Sequence, residues 1–285
     1  MRLSSSLALV GGLGIILVSL SGCRIEAHSQ TAFEDKTQAA KVSTRPWNGE
    51  PITIRNDGVN PLGGYGGVEV KISNAATTIS VEAVFSALAD DDKEEDAKAS
   101  IRDAISTLVI NESANGFEVR CGHGNSHGTS GVAGSGCKII RVTIPASTAL
   151  KPHNLDIGTG SGAISVGEFG DGQPFVSNIK AVNSGLSEVN VFVRPVKDAN
   201  LFIVGKDAVA VKLPADFSVK SAVLTVNEDD GTAAEARKRY TDFPGLGTPI
   251  NGPYPASGAT ADAAAKLDIQ STGPFDSDTI TVSKL

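Results

Sequence analysis

The sequence predicts a mainly β fold, a β-solenoid-like stack or a sandwich of many short strands with one short amphipathic helix near residues 93–108. Three observations carry this. Segment after segment alternates apolar and polar residues with period two, the pattern of strands with one buried face. Gly, Asn and Asp cut these segments at intervals of roughly 8 to 15 residues, a spacing that suits sandwiches, barrels and solenoids. Aromatics are only 5% of the chain, with a single Trp, while Gly reaches 31 and β-branched residues abound. Such a composition fits thin sheets and stacked strands better than a helical bundle.

At the N-terminus, Arg2 is followed by an uncharged apolar run from Leu7 to Leu20 that closes in Ser21-Gly22-Cys23. The run is too short to span a membrane and ends in small residues, the layout of a secretory signal peptide. Gly11, Gly12 and Gly14 also speak against a buried core helix. Leu20-Ser21-Gly22-Cys23 resembles the lipobox of bacterial lipoproteins, in which the chain is cut before the cysteine and the cysteine is acylated. That resemblance implies an acylated (palmitate-type) Cys23 as membrane anchor, because two or more acyl chains hold a protein stably at a bilayer. Arg24, in place of the Asp that marks inner-membrane retention in enteric-type lipoproteins, implies the outer membrane, with the domain facing the periplasm or the cell surface.

The domains expected are therefore residues 1–22, a signal peptide; 23–60, a lipidated N-terminus and tether; and 61–285, the β-rich domain. The full chain carries 25 basic and 32 acidic residues, and cleavage would remove Arg2 without removing an acid. An acidic exterior excludes nucleic acid as partner and leaves the acyl group as the evident membrane attachment.

Residues 24–60 are polar and irregular, with Ile52-Thr53-Ile54 as a first short strand. Val68–Ile72 and Thr78–Val84 alternate about Asn74-Ala75-Ala76, which predicts a hairpin. Between Asp90 and Leu108 the period changes. Ala97, Ile101, Ala104, Ile105 and Leu108 fall on one helical face, and the acidic run Asp90–Asp96 suits the positive end of a helix dipole. That run lacks the alternating ligands and central Gly of a calcium loop.

Cys121 and Cys137 remain once Cys23 is assigned. In an exported protein two such cysteines pair as a disulfide. Both flanks alternate like strands, and the intervening GHGNSHGTSGVAGSG predicts a hairpin stapled at its base, worth ~3 kcal/mol of loop-closure entropy. His123 and His127 lie in that tip. Two His with two Cys could ligate a metal such as zinc, so weak metal binding by His123 and His127 stands beside the disulfide. No cofactor is implied elsewhere.

After Pro145 the strands predicted are 155–157, 163–166, 178–182, 188–193, 201–204, 209–213, 219–226, 267–269 and 279–282, with a long Gly/Pro/Ala/Asp insertion at 229–265. Arg141-Val142-Thr143-Ile144-Pro145, then Leu155–Val166 with its Thr159-Gly160-Ser161-Gly162-Ala163-Ile164-Ser165-Val166 turn, resemble the "putative adhesin" family of bacterial envelope proteins. Ile269–Gly273 and Thr279–Val282 echo the same turn. The resemblance covers about residues 65–285 and implies a β-solenoid-like domain without a known catalytic centre; it assigns no site residues.

No Gly-x-Ser-x-Gly elbow precedes a helix, and His153 follows Lys151-Pro152 in a loop without an evident partner. The function expected is a lipid-anchored envelope protein with a non-catalytic binding or scaffolding domain for an unidentified envelope or surface ligand. The alternative is a carbohydrate-acting enzyme on a solenoid, which would require converging carboxylates with perturbed pKa values.

Overall fold

The computed structural model describes residues 30–57, 66–123, 131–215, 217, 219–226, 239–243, 265–273 and 279–285. They form two sheets. In chain order the first strands are β1 (Gln30–Val42), β2 (Ile52–Asn56), β3 (Gly67–Ser73) and β4 (Ser80–Asp90). A single 3-10 turn leads into helix α1 (Glu94–Ser106), followed by β5 (Val109–Ser113), β6 (Gly116–Cys121) and β7 (Val132–Pro145). Then come β8 (His153–Thr159), β9 (Ile164–Gly170), β10 (Phe175–Asn183), β11 (Val189–Phe192), β12 (Arg194–Gly205) and β13 (Val209–Leu213). The last are β14 (Val219–Val226), β15 (Arg239–Thr241), β16 (Ala265–Ser271) and β17 (Ile280–Lys284).

From β8 onward the chain lays one strand in one sheet and the next in the other. Strands β8, β10, β12, β16 and β14 pair in parallel, as do β9, β11, β13, β17 and β15. Parallel neighbours need a crossover between them, and here the crossover is the strand in the opposite sheet. This settles solenoid against sandwich: the molecule is a flattened β-solenoid. The in-register stack puts like side chains in columns. Ile52, Leu155, Ile179, Leu201 and Leu267 stand side by side in one sheet, and Val70, Val166, Val191, Val211 and Val282 in the other. All are buried between the sheets, each contributing ~1.5–3 kcal/mol by leaving water.

The coils do not follow chain order at either end. Strand β2 lies between β6 and β8, and β3 between β7 and β9, so the second coil in the chain occupies the outer position. Likewise β16 separates β14 from β12, and β17 separates β15 from β13. At the β7 end the nine-stranded sheet continues antiparallel through β4 to β1, and the eight-stranded sheet continues through β6 to β5. Helix α1 buries Ala97, Ser100, Ile101 and Ala104. Its Ser100 hydroxyl shares a 2.6 Å hydrogen bond with Ser135 of β7.

Buried polar residues line the corner where the chain passes from the eight- to the nine-stranded sheet. Asn56 donates to the carbonyls of Gly67 at 2.9 Å and Cys137 at 3.3 Å. Thr159 donates to Gly162, Asn183 to Ser187 and Ser271 to Asp207. Each side chain satisfies a turn carbonyl that would otherwise be buried without a partner. The corner is also tight: a Cβ on Gly162 would lie 2.2 Å from the Gly67 nitrogen.

Four expectations are corrected. Strands β3 and β4 are not a hairpin, because β7 pairs with both and lies between them. Cys121 and Cys137 are not at the base of a hairpin either: β6 and β7 belong to different sheets, with an isolated bridge between His123 and Gly136 beside the cysteines. Period two reports that a strand has one buried face and says nothing of its partner. The tether drawn at 23–60 contains β1 as well as the short strand expected at Ile52–Ile54, which is β2 and interior to the stack. Finally, the 229–265 insertion contains β15, which pairs with β17, and the buried Phe243.

Candidate functional site

The outward positions of the eight-stranded sheet gather residues far apart in the chain. Arg55 of β2 points across Gly158 of β8 and grips Asp156. Its Nη2 donates to Asp156 Oδ2 at 2.6 Å, and its Nη1 to the Asp156 carbonyl at 2.8 Å. A Cβ on Gly158 would come within 3.2 Å of the Arg55 side chain, so the bare glycine provides the bed in which the guanidinium lies. The second carboxylate oxygen, Asp156 Oδ1, is buried with no hydrogen-bond partner. Lys180 of β10 is the register neighbour of Asp156 and is exposed. Together with Asp57, Thr159 and Ser184 these residues line a shallow groove of about 300 Å³. Arg120 closes one side by pairing with Asp57 at 3.0 Å.

A second groove of about 380 Å³ lies next to it over β5, β6 and β2, lined by Pro51, Thr53, Asn111, Ser113, Asn115 and Glu118. Asn111 donates to Glu118 at 3.0 Å. Thr53 sits in register with both Glu118 and Asp156, so the two grooves adjoin on one face. That face presents amides, hydroxyls and paired charges, the chemistry that recognises an extended polar ligand through hydrogen bonds. Sequence reasoning did not find it. Arg55 and Asp156 are 101 residues apart, and only the stacking of coils makes them neighbours.

His153 is not in a loop. It opens β8 fully buried, its ring 4.2 Å from that of Trp47, with Nε2 at 2.9 Å from the Pro145 carbonyl. Nδ1 is buried without a partner. Burial pushes its pKa from 6.5 down to about 4, against the pull of the Pro145 carbonyl and aided by nearby Lys151. At neutral pH the ring is therefore uncharged where it packs on Trp47. Glu50 is held down at about 2, first by its hydrogen bond from Arg45 and then by the Asn48 amide. Glu95 and Glu112 also move down, held by Lys98 and by the Thr44 amide respectively. A general acid would need the opposite shift.

Cys121 and Cys137 are both fully buried and form a disulfide across the core, with Cα atoms 6.2 Å apart. A disulfide offers no thiolate, so ligation of metal by both cysteines is overturned. His123 is exposed beside the bridge, whereas His127 lies outside the described residues. Among the described residues no three His, Cys, Asp or Glu side chains are grouped to hold a metal. The acidic run at 90–96 ends β4 with Asp90 and then forms the 3-10 turn and the first turn of α1. Cys23 and the apolar run before it also lie outside the described residues, and among those described no helix is long and apolar enough to cross a membrane.

No protein-family pattern matches the chain, and no curated protein matches it in sequence. Among solved structures it is similar to a "putative cell adhesion protein" from Clostridium sporogenes. Identity is 10%, over 87% of this chain and 100% of that one, at a TM-score of 0.43. It is also similar to a "putative adhesin" from Bacteroides fragilis, at 7% identity over 88% of this chain and 98% of that one, with a TM-score of 0.21. At such values neither likeness bears on what this chain binds.

Proposed function

We propose that the chain is a lipid-anchored protein of the bacterial envelope whose solenoid binds or scaffolds a polar ligand without chemically transforming it. The observation that carries the binding half is the open face over β5, β6, β2, β8 and β10. Its arginines are paired within the sheet as Arg55–Asp156 and Arg120–Asp57, and Lys180 stands exposed beside them. Carboxylates engaged by arginine are poor general acids, but an array of donors and acceptors on a rigid sheet is well suited to recognition. The anchoring half rests on Leu20-Ser21-Gly22-Cys23.

Each half has its own test. Mass spectrometry of protein extracted from membranes should find a mature chain starting at an acylated Cys23; an unmodified cysteine or another start rejects the anchor. The purified domain screened against an oligosaccharide array should retain ligands, and Arg55→Ala with Asp156→Ala should reduce retention at least tenfold, corresponding to ~1.4 kcal/mol. Release of shortened products from any retained oligosaccharide would reject the non-catalytic reading.

A further inference from the structure

The geometry points to which end of the molecule lies nearer the bilayer: we infer that the edge formed by β1, β4 and α1 is the membrane-proximal end, and that the solenoid stacks outward from it towards β15. This rests on the proposed acylation of Cys23. The sequence suggested a tether reaching to residue 60. The structure shortens it, because β1 begins at Gln30 and is hydrogen-bonded to β4 from Gln30↔Asp90 onward. Only residues 24–29 separate the cysteine from the sheet. Whatever path they take, their contour holds Gln30 within about 25 Å of the acylated residue, at ~3.6 Å per residue.

Strand β1 is also the edge of the nine-stranded sheet, opposite β15. At ~4.8 Å per strand the two edges stand ~38 Å apart, farther than the six residues can reach. The tether therefore keeps the attached edge within about 25 Å of the acylated residue and places no such limit on the β15 edge. Asp90 stands opposite Gln30 and Asp91 accepts from Thr31; the turn and helix that follow add Asp92, Glu94 and Glu95 against Lys93 and Lys98, the latter paired with Glu94 and Glu95. Such an acidic end gains nothing from anionic lipid, so the partner surface is a zwitterionic headgroup layer reached through the acyl chains. The orientation also fixes where ligand is met. The groove over β5 and β6 lies at the anchored end, and the groove over β8 and β10 a few strands further out.

Energy transfer tests this on the full lipidated protein in phosphatidylcholine vesicles carrying a headgroup acceptor dye. Cys23 is acylated and Cys121 and Cys137 are disulfide-bonded, so one introduced cysteine takes the donor: Glu95→Cys at the near edge or Tyr240→Cys at the far edge, both exposed. Quenching should be at least about twofold stronger for Glu95→Cys, given the ~38 Å between the edges. Co-flotation with the vesicles reads the anchor separately. Protein that floats but shows equal transfer, or stronger transfer from Tyr240→Cys, overturns the orientation alone. Protein that does not float overturns the anchor and the orientation with it.

Discussion

His153 buried against Trp47 makes the fold acid-sensitive in a definite window. Its pKa is near 6.5 unfolded and about 4 folded, so the unfolded chain binds the proton first as pH falls. The stability from keeping the ring neutral is full above pH 6.5, declines between 6.5 and 4, and is gone below. The loss is about 3 kcal/mol at most. Glu50, about 2 when folded against 4.5 unfolded, loses its contribution only between 4.5 and 2. Urea titrations followed by the fluorescence of Trp47, the single tryptophan, should therefore show a midpoint that falls from pH 7 to pH 4.5. In His153→Gln that slope should flatten. Two further residue-scale outcomes follow from buried partners. Asn56→Ala leaves the Gly67 and Cys137 carbonyls without their donor and should cost ~1–3 kcal/mol in the same titration. Reducing the Cys121–Cys137 bridge should cost ~3 kcal/mol. Because both cysteines are buried, the bridge should be open to reductant, and its thiols then to a thiol probe, only in unfolded protein.

At the scale of elements, alternation located strands well and partners badly. Residues 209–213 and 219–226 read as strands and are strands β13 and β14. Helix α1 was legible for the same reason, since Ala97, Ile101 and Ala104 keep a 3.6-residue period onto the core. Strand β1 was not. Its sequence, QTAFEDKTQAAKV, has little apolar alternation, because an edge strand need not bury a continuous face. Pairing was invisible wherever it was non-local: β3 and β4 looked like a hairpin because they are close in sequence, yet β7 lies between them. Helix α1 has a checkable consequence. Ile101→Ala should cost ~2–5 kcal/mol, because Ile101 is buried where α1 packs on β4 and β7. An exposed change on the same helix, Arg102→Ala, should cost under ~0.5 kcal/mol.

At the scale of the whole molecule, stability is shared along the stack, and interior coils matter more than their order in the chain suggests. Deleting residues 1–29 should leave the thermal unfolding transition unchanged. Deleting 1–57 removes β2 from between β6 and β8 and strips β1 from β4, and circular dichroism should then show no cooperative transition. An intact transition after that larger deletion would mean that β2 is dispensable. The grooves belong to this scale as well, since Arg55, Asp156 and Lys180 come from three coils that meet only in the stack.

The sequence by itself determined the class of fold, the spacing of its strands, the helix α1 and the cysteines available to pair, because those depend on periodicity and composition, which are local. It also carried the signature at Cys23 on which the anchor is proposed. Only the tertiary structure decided that the coils are transposed at both ends and that the disulfide crosses between sheets. It alone brought Arg55 to Asp156 and left six residues between Cys23 and the first strand. Those follow from which strands stack beside which, and that choice is made by burial of whole faces against one another rather than by any pattern within a strand.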